Sequence, residues 1–73
     1  MMITLHSFQT LSVDAKVTAL WEIGSFIWQK INGGERIILY KLSDFYVKVR
    51  YRTDLQAVGD IFCYNEREEV LEA

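Results

Sequence analysis

The sequence predicts a small α+β domain. An N-terminal helix, preceded by a short helical turn, packs on a four-stranded antiparallel β-meander, and a short acidic helix closes the C-terminus. Three observations carry that expectation. Glu35–Leu42 and Phe45–Arg52 are strand-like runs meeting at Ser43-Asp44, with apolar residues on one phase and basic residues threaded through the other. Asn32-Gly33-Gly34 marks a second tight turn just upstream, because glycine supplies the positive φ that such turns require. Ser12 followed by Val13, Val17, Leu20 and Trp21 reads as a capped amphipathic helix.

Taken in order, Thr4 can cap a short helix over 5–10, its hydroxyl accepting from backbone N–H groups of the next turn. Ser12 does the same for the main helix, and Asp14 in its first turn complements the positive end of the dipole. The apolar pattern continues through Gly24, Ile27, Trp28 and Ile31, which would give one helix to residue 31. Against that, Gly24 is a natural stop, and the following SFIWQKI is rich in aromatic and β-branched residues. We expect the helix over 13–22 and a first strand over 25–31. Strands over 35–42, 45–52 and 58–64 follow. Asn65 then caps an acidic helix over 66–73.

Seventy-three residues make one domain, and one so short buries only about 60% of the surface of its unfolded chain. Small domains often add a disulfide, a metal or self-association. Cys63 is the only cysteine and His6 the only histidine, which excludes an internal disulfide and the ordinary zinc sets and leaves self-association. No apolar stretch approaches the roughly 20 residues of a membrane helix, and no basic leader opens the chain. With a lone thiol, the expectation is a cytoplasmic protein without a membrane. The net charge is −2, but residues 30–52 carry six basic side chains against two acidic ones, and residues 53–73 one against six. The overall acidity argues against generic nucleic-acid binding.

Side chains directly opposite in an antiparallel pair share a face. Folding about Ser43-Asp44 puts Leu42, Phe45, Tyr40, Val47, Ile38 and Val49 on an inner face that seats the helix. Ile61 and Cys63 join it from the fourth strand. The outer face then presents Phe26, Trp28, Ile37, Leu39, Tyr46, Phe62 and Tyr64 among Lys30, Lys41, Lys48, Arg50 and Arg52, with Val58 also turned outward and Asp60 opposite Arg50. An apolar patch of that extent usually marks a contact surface. Phe26, Trp28, Leu39, Lys41, Tyr46, Lys48, Arg50 and Arg52 are therefore the candidate protein-interaction residues.

The run LHSFQTLSVDAKVTALWEIGSFI, followed by ERIILYKLSDFYVKVRY, resembles a group of short, uncharacterised bacterial α+β proteins. The matching residues are Leu20, Trp21, Glu22 and Gly24, then Leu42, Phe45, Tyr46, Val47 and Val49 in an L-x-x-F-Y-V-x-V hairpin. The resemblance covers about two-thirds of the chain. It implies a helix, a glycine and an antiparallel meander, with no activity and no catalytic residue. Gly59-Asp60 departs from it, sitting where the pattern has more basic residues.

No constellation points to an enzyme or a cofactor. His6 has no second ligand beside it, and Cys63, between Phe62 and Tyr64, reads as a core thiol. Glu66, Glu68, Glu69 and Glu72 read as a solvated helix face. Asn32-Gly33-Gly34 lacks the lysine-serine pair and following helix of a phosphate loop. Tryptophan, tyrosine and arginine dominate interface energies, so the expected function is that of a non-enzymatic, self-associating protein-binding module. A homodimer and a protein partner are expected, and a small bacterial or phage regulator, inhibitor or immunity-type protein fits the size. Single-stranded nucleic acid or a small anionic ligand such as a nucleotide is the alternative occupant of the same face.

Overall fold

The computed structural model describes residues 3–65. The expected C-terminal helix over 66–73 lies outside them. Two helices precede four strands: α1 (Leu5–Gln9), α2 (Val13–Ile23), β1 (Ser25–Asn32), β2 (Glu35–Leu42), β3 (Phe45–Arg52) and β4 (Ala57–Tyr64). The strands form one antiparallel sheet in the order β1-β2-β3-β4, and the helices pack on one side of it. This is the α+β architecture expected from the sequence.

Both helix starts are capped as the hydroxyl residues suggest. Thr4 Oγ1 accepts from the Ser7 backbone N–H at 3.1 Å, and Ser12 Oγ accepts from that of Ala15 at 3.2 Å. α2 ends at Gly24, whose N–H donates to the Leu20 carbonyl at 3.0 Å. The need for glycine here is steric. Its φ of −80° suits any residue, but a Cβ would lie 2.6 Å from the Leu20 carbonyl oxygen. The chain therefore leaves the helix at Gly24 and enters β1 at once, which decides between the two helix lengths left open above.

The β2–β3 ladder runs without interruption from Leu42↔Phe45 to Glu35↔Arg52, the expected register. Both hairpin turns hold positive φ at their first residue, Gly33 at 62° and Ser43 at 59°. The loop after β3 is tied back to the first turn, with the Thr53 N–H and Oγ1–H both donating to the Gly34 carbonyl, at 2.8 and 2.9 Å.

Two bulges correct the expected faces. In β1 an extra residue, Ile27, separates the pairs Phe26↔Tyr40 and Trp28↔Leu39. A single inserted residue reverses the side on which everything beyond it points. Phe26, expected on the outer face, thus lies on the helix side, edge-on to the Tyr40 ring at a centroid distance of 6.4 Å. In β4 the extra residue is Gly59, between Arg50↔Asp60 and Tyr51↔Val58, so Val58 also turns to the helix side. A Cβ on Gly59 would come within 3.2 Å of the Arg50 carbonyl oxygen.

The core sits between the helices and one end of the sheet. Phe8, Leu20, Leu42, Phe45, Val47 and Val49 are buried in one cluster. Phe8 comes from the five-residue α1 and is fully buried, its ring tilted against Phe45 at 5.7 Å. Burying such a ring contributes about 1.5–3 kcal/mol, so the short helical turn is an integral part of the fold.

Candidate functional site

The outer face brings together seven of the eight expected contact residues: Trp28, Leu39, Lys41, Tyr46, Lys48, Arg50 and Arg52. Phe26 is the one on the opposite side. Within the seven, the structure distinguishes a packed centre from a charged rim. Leu39 is fully buried although it stands apart from the main core, flanked in the register by Trp28 and Lys48. The Lys48 ammonium lies 5.5 Å from the ring centroids of both Phe62 and Tyr64. That of Lys41 lies 6.0 Å from Tyr46. The lysine stems therefore lie along the aromatic surface and cover part of it.

The guanidinium groups have partners as well. Arg50 bonds to Asp60 across β3–β4, with Glu35 at 3.7 Å on its other side. Arg52 makes two hydrogen bonds to Asp54, at 3.1 and 3.3 Å. The hydrogen bond from Arg52 holds the Asp54 carboxyl below the usual carboxylate range. Three carboxylates thus stand beside the basic strip, and its positive potential is weaker than the count of lysine and arginine suggests.

Among the described residues, apolar surface is also left uncovered on the helix side. A sheet of four eight-residue strands spans about 14 by 26 Å, while an eleven-residue helix is only about 16 Å long. The helices cover the end carrying Leu42, Phe45 and Val47. Towards the opposite end a groove of about 460 Å³ opens between α2 and the sheet. Val17, Leu20 and Trp21 of α2 line one side, and Ile38, Val49 and Val58 lie among the strand residues that line the other. Arg36 is the only charged lining residue among the described residues.

Trp21 is 83% exposed. The sequence pattern puts it on the apolar stripe of α2 with Leu20, and the stripe is real, but the sheet beneath Trp21 does not rise to meet it. Ile23, Phe26 and Ile31 are also more exposed than not or nearly so, at 49, 58 and 65%. Tyr40 links two of these residues, since it lines the groove with Trp21 and meets the Phe26 ring edge-on. Sequence reasoning missed this surface because helical periodicity identifies a face without saying how much of it is covered. The available signal was the mismatch between one short helix and a four-stranded sheet.

Cys63 pairs with Val47 on the helix side and is half-buried. Burial pushes its thiol above the ordinary value, which keeps it protonated and a poor nucleophile at neutral pH. His6 is exposed on α1. Among the described residues no three His, Cys, Asp or Glu side chains are placed to share a metal ion, and no helix is long and apolar enough to cross a membrane. Comparison of the chain with protein-family models, with curated proteins and with solved structures finds no match.

Proposed function

We propose that the protein is a non-enzymatic, self-associating protein-binding module, and that its principal contact surface is the helix-side apolar strip of Trp21, Ile23, Phe26 and Ile31 with the adjoining groove. The observation that carries this reading is the 83% exposure of Trp21 at the rim of an open apolar groove. Tryptophan is the residue type most enriched among interface hot spots, and a solvated indole beside a groove has burial energy still to gain. The outer face supports the reading less strongly, because its lysines already lie on its rings and its arginines already meet carboxylates. The same pairings weigh against nucleic acid or a free anionic ligand on that face. A small regulator, inhibitor or immunity-type protein, acting by occupying another protein's surface, suits a module of this size.

The test compares the two tryptophans. Trp21→Ala is expected to weaken self-association by tenfold or more and to leave the unfolding midpoint of the dilute protein almost unchanged. Trp28→Ala, on the packed outer face, is expected to do the reverse. Unchanged association in Trp21→Ala, measured by sedimentation, would remove the helix-side strip as the contact surface.

A further inference from the structure

Resting on that reading, we infer that the occupant of the helix-side strip is a second copy of this chain, joined edge to edge through β1, so that two four-stranded sheets continue into one of eight strands. The first observation is that β1 is an open edge. Among the described residues it pairs with β2 on one side only; it runs for eight residues, contains no proline and carries one charge, Lys30. Edges are ordinarily protected by charge, proline, brevity, a bulge or a covering element; among the described residues β1 has only Lys30 and the bulge at Ile27 near its start, which leaves 28–32 as a regular run. The other edge, β4, is better protected. α1 packs against it and Asp60 lies in its middle, while its ladder, like that of β1, is interrupted by one bulge.

The second observation is where the exposed apolar side chains stand. Phe26 and Ile31 project from β1 itself on the helix side, and Ile23 precedes it by two residues. Trp21 lines the same groove as Tyr40, the register partner of Phe26. Continuing the sheet across a two-fold axis would set these residues against their own counterparts. An isologous contact of this kind needs a self-complementary surface, and a mainly apolar strip, with Gln29 between Phe26 and Ile31 and Arg36 beside Ile31 as its one cation among the described β1 and β2 residues of that face, presents little like charge to its own copy. Lys30 falls on the other face of the sheet, with Trp28 two residues away and on the same side.

The third observation is area. At about 150–250 Å² for a whole aromatic side chain, Trp21 and Phe26 hold out roughly 300 Å² of ring surface between them. A standard interface buries about 800 Å² per partner. Ile23, Ile31 and the main chain of an eight-residue edge can supply the remainder. The main-chain hydrogen bonds of the new ladder would add direction to a contact that burial alone leaves unspecific.

The experiment uses the intact chain. Amide hydrogen exchange is followed by mass spectrometry from low micromolar to hundreds of micromolar protein, alongside sedimentation. The expected result is a dimer whose β1 amides exchange more slowly as concentration rises, while β4 amides do not change. Ile31→Glu is expected to weaken the dimer at least tenfold, because its carboxylate would be buried against the partner. Phe62→Glu, on the other face at the opposite edge, is expected to leave it unaffected. A dimer weakened by Trp21→Ala whose β1 exchange ignores concentration would overturn edge pairing and leave the proposed surface standing. Concentration-dependent protection confined to β4 would likewise overturn it. A monomer throughout the range would overturn both edge pairing and self-association.

Discussion

Truncating Phe8 to alanine tests whether the first short helix is part of the core or an ornament on it. The ring is fully buried, lies 5.7 Å from Phe45 and is surrounded by the cluster that includes Leu20 and Leu42. Phe→Ala at such a site removes the transfer energy of the ring and leaves a cavity, a loss of about 3–5 kcal/mol. At about 0.05–0.15 kcal/mol per residue, a chain of 73 residues has roughly 4–11 kcal/mol in total. Phe8→Ala should therefore consume about a quarter of the stability at the least, and at the bottom of that range nearly all of it. Phe8→Leu retains most of the volume and loses the aromatic contact, so a cost of about 0.5–1.5 kcal/mol is expected. The assay is urea unfolding followed by far-ultraviolet circular dichroism, at one protein concentration, since self-association would shift the midpoint. A loss below about 1 kcal/mol for Phe8→Ala would refute the placement of α1 in the core.

Three further perturbations address local features. Gly24→Ala should cost about 1–3 kcal/mol, because its Cβ would meet the Leu20 carbonyl oxygen at 2.6 Å and neither backbone atom can yield cheaply; an unchanged melting temperature would contradict this. Ser43→Gly should gain about 0.5–1 kcal/mol, since Ser43 holds φ at 59° where glycine has no steric penalty, and a lower midpoint would show that its side chain stabilises the turn. Asp54 has its carboxyl pKa lowered by the hydrogen bond from Arg52, so its contribution to stability is present above the usual aspartate range and is lost as pH falls through the lowered value. Asp54→Asn should thus flatten the acid limb of the stability curve between neutral pH and about pH 3; parallel curves for the two proteins would argue against the pair.

The parts of the fold legible in the sequence were those where two independent signals agree. The β2–β3 register follows from alternation on both strands and a two-residue turn between them, and every pair from Leu42↔Phe45 to Glu35↔Arg52 lies as that argument requires. The helix stop at Gly24 had a glycine and a change of composition behind it. The bulges were harder. An extra residue leaves the local alternation looking intact while reversing the side on which everything beyond it points, which is how Phe26 and Val58 were assigned to the wrong face. Gly59, a glycine inside a strand pattern, was a usable warning for the second bulge; nothing comparable marks Ile27. Phe8 was hidden because five helical residues show no period, although Leu5, Phe8 and Leu11 at intervals of three share a side. As for the site, the aromatic and basic residues expected on the outer face lie there with the exception of Phe26, but their mutual satisfaction was not legible, since it depends on side-chain geometry. The exposure of Trp21 depends on how far α2 reaches across the sheet, a matter of element lengths in three dimensions.

The central claim is that the uncovered helix-side strip drives two copies of this chain together. Sedimentation velocity of the intact protein across low to high micromolar concentration tests it most directly. The account predicts a concentration-dependent shift from a species of 8.6 kDa to one of twice that mass, reversed by Trp21→Ala. A single 8.6 kDa species at every concentration would contradict it.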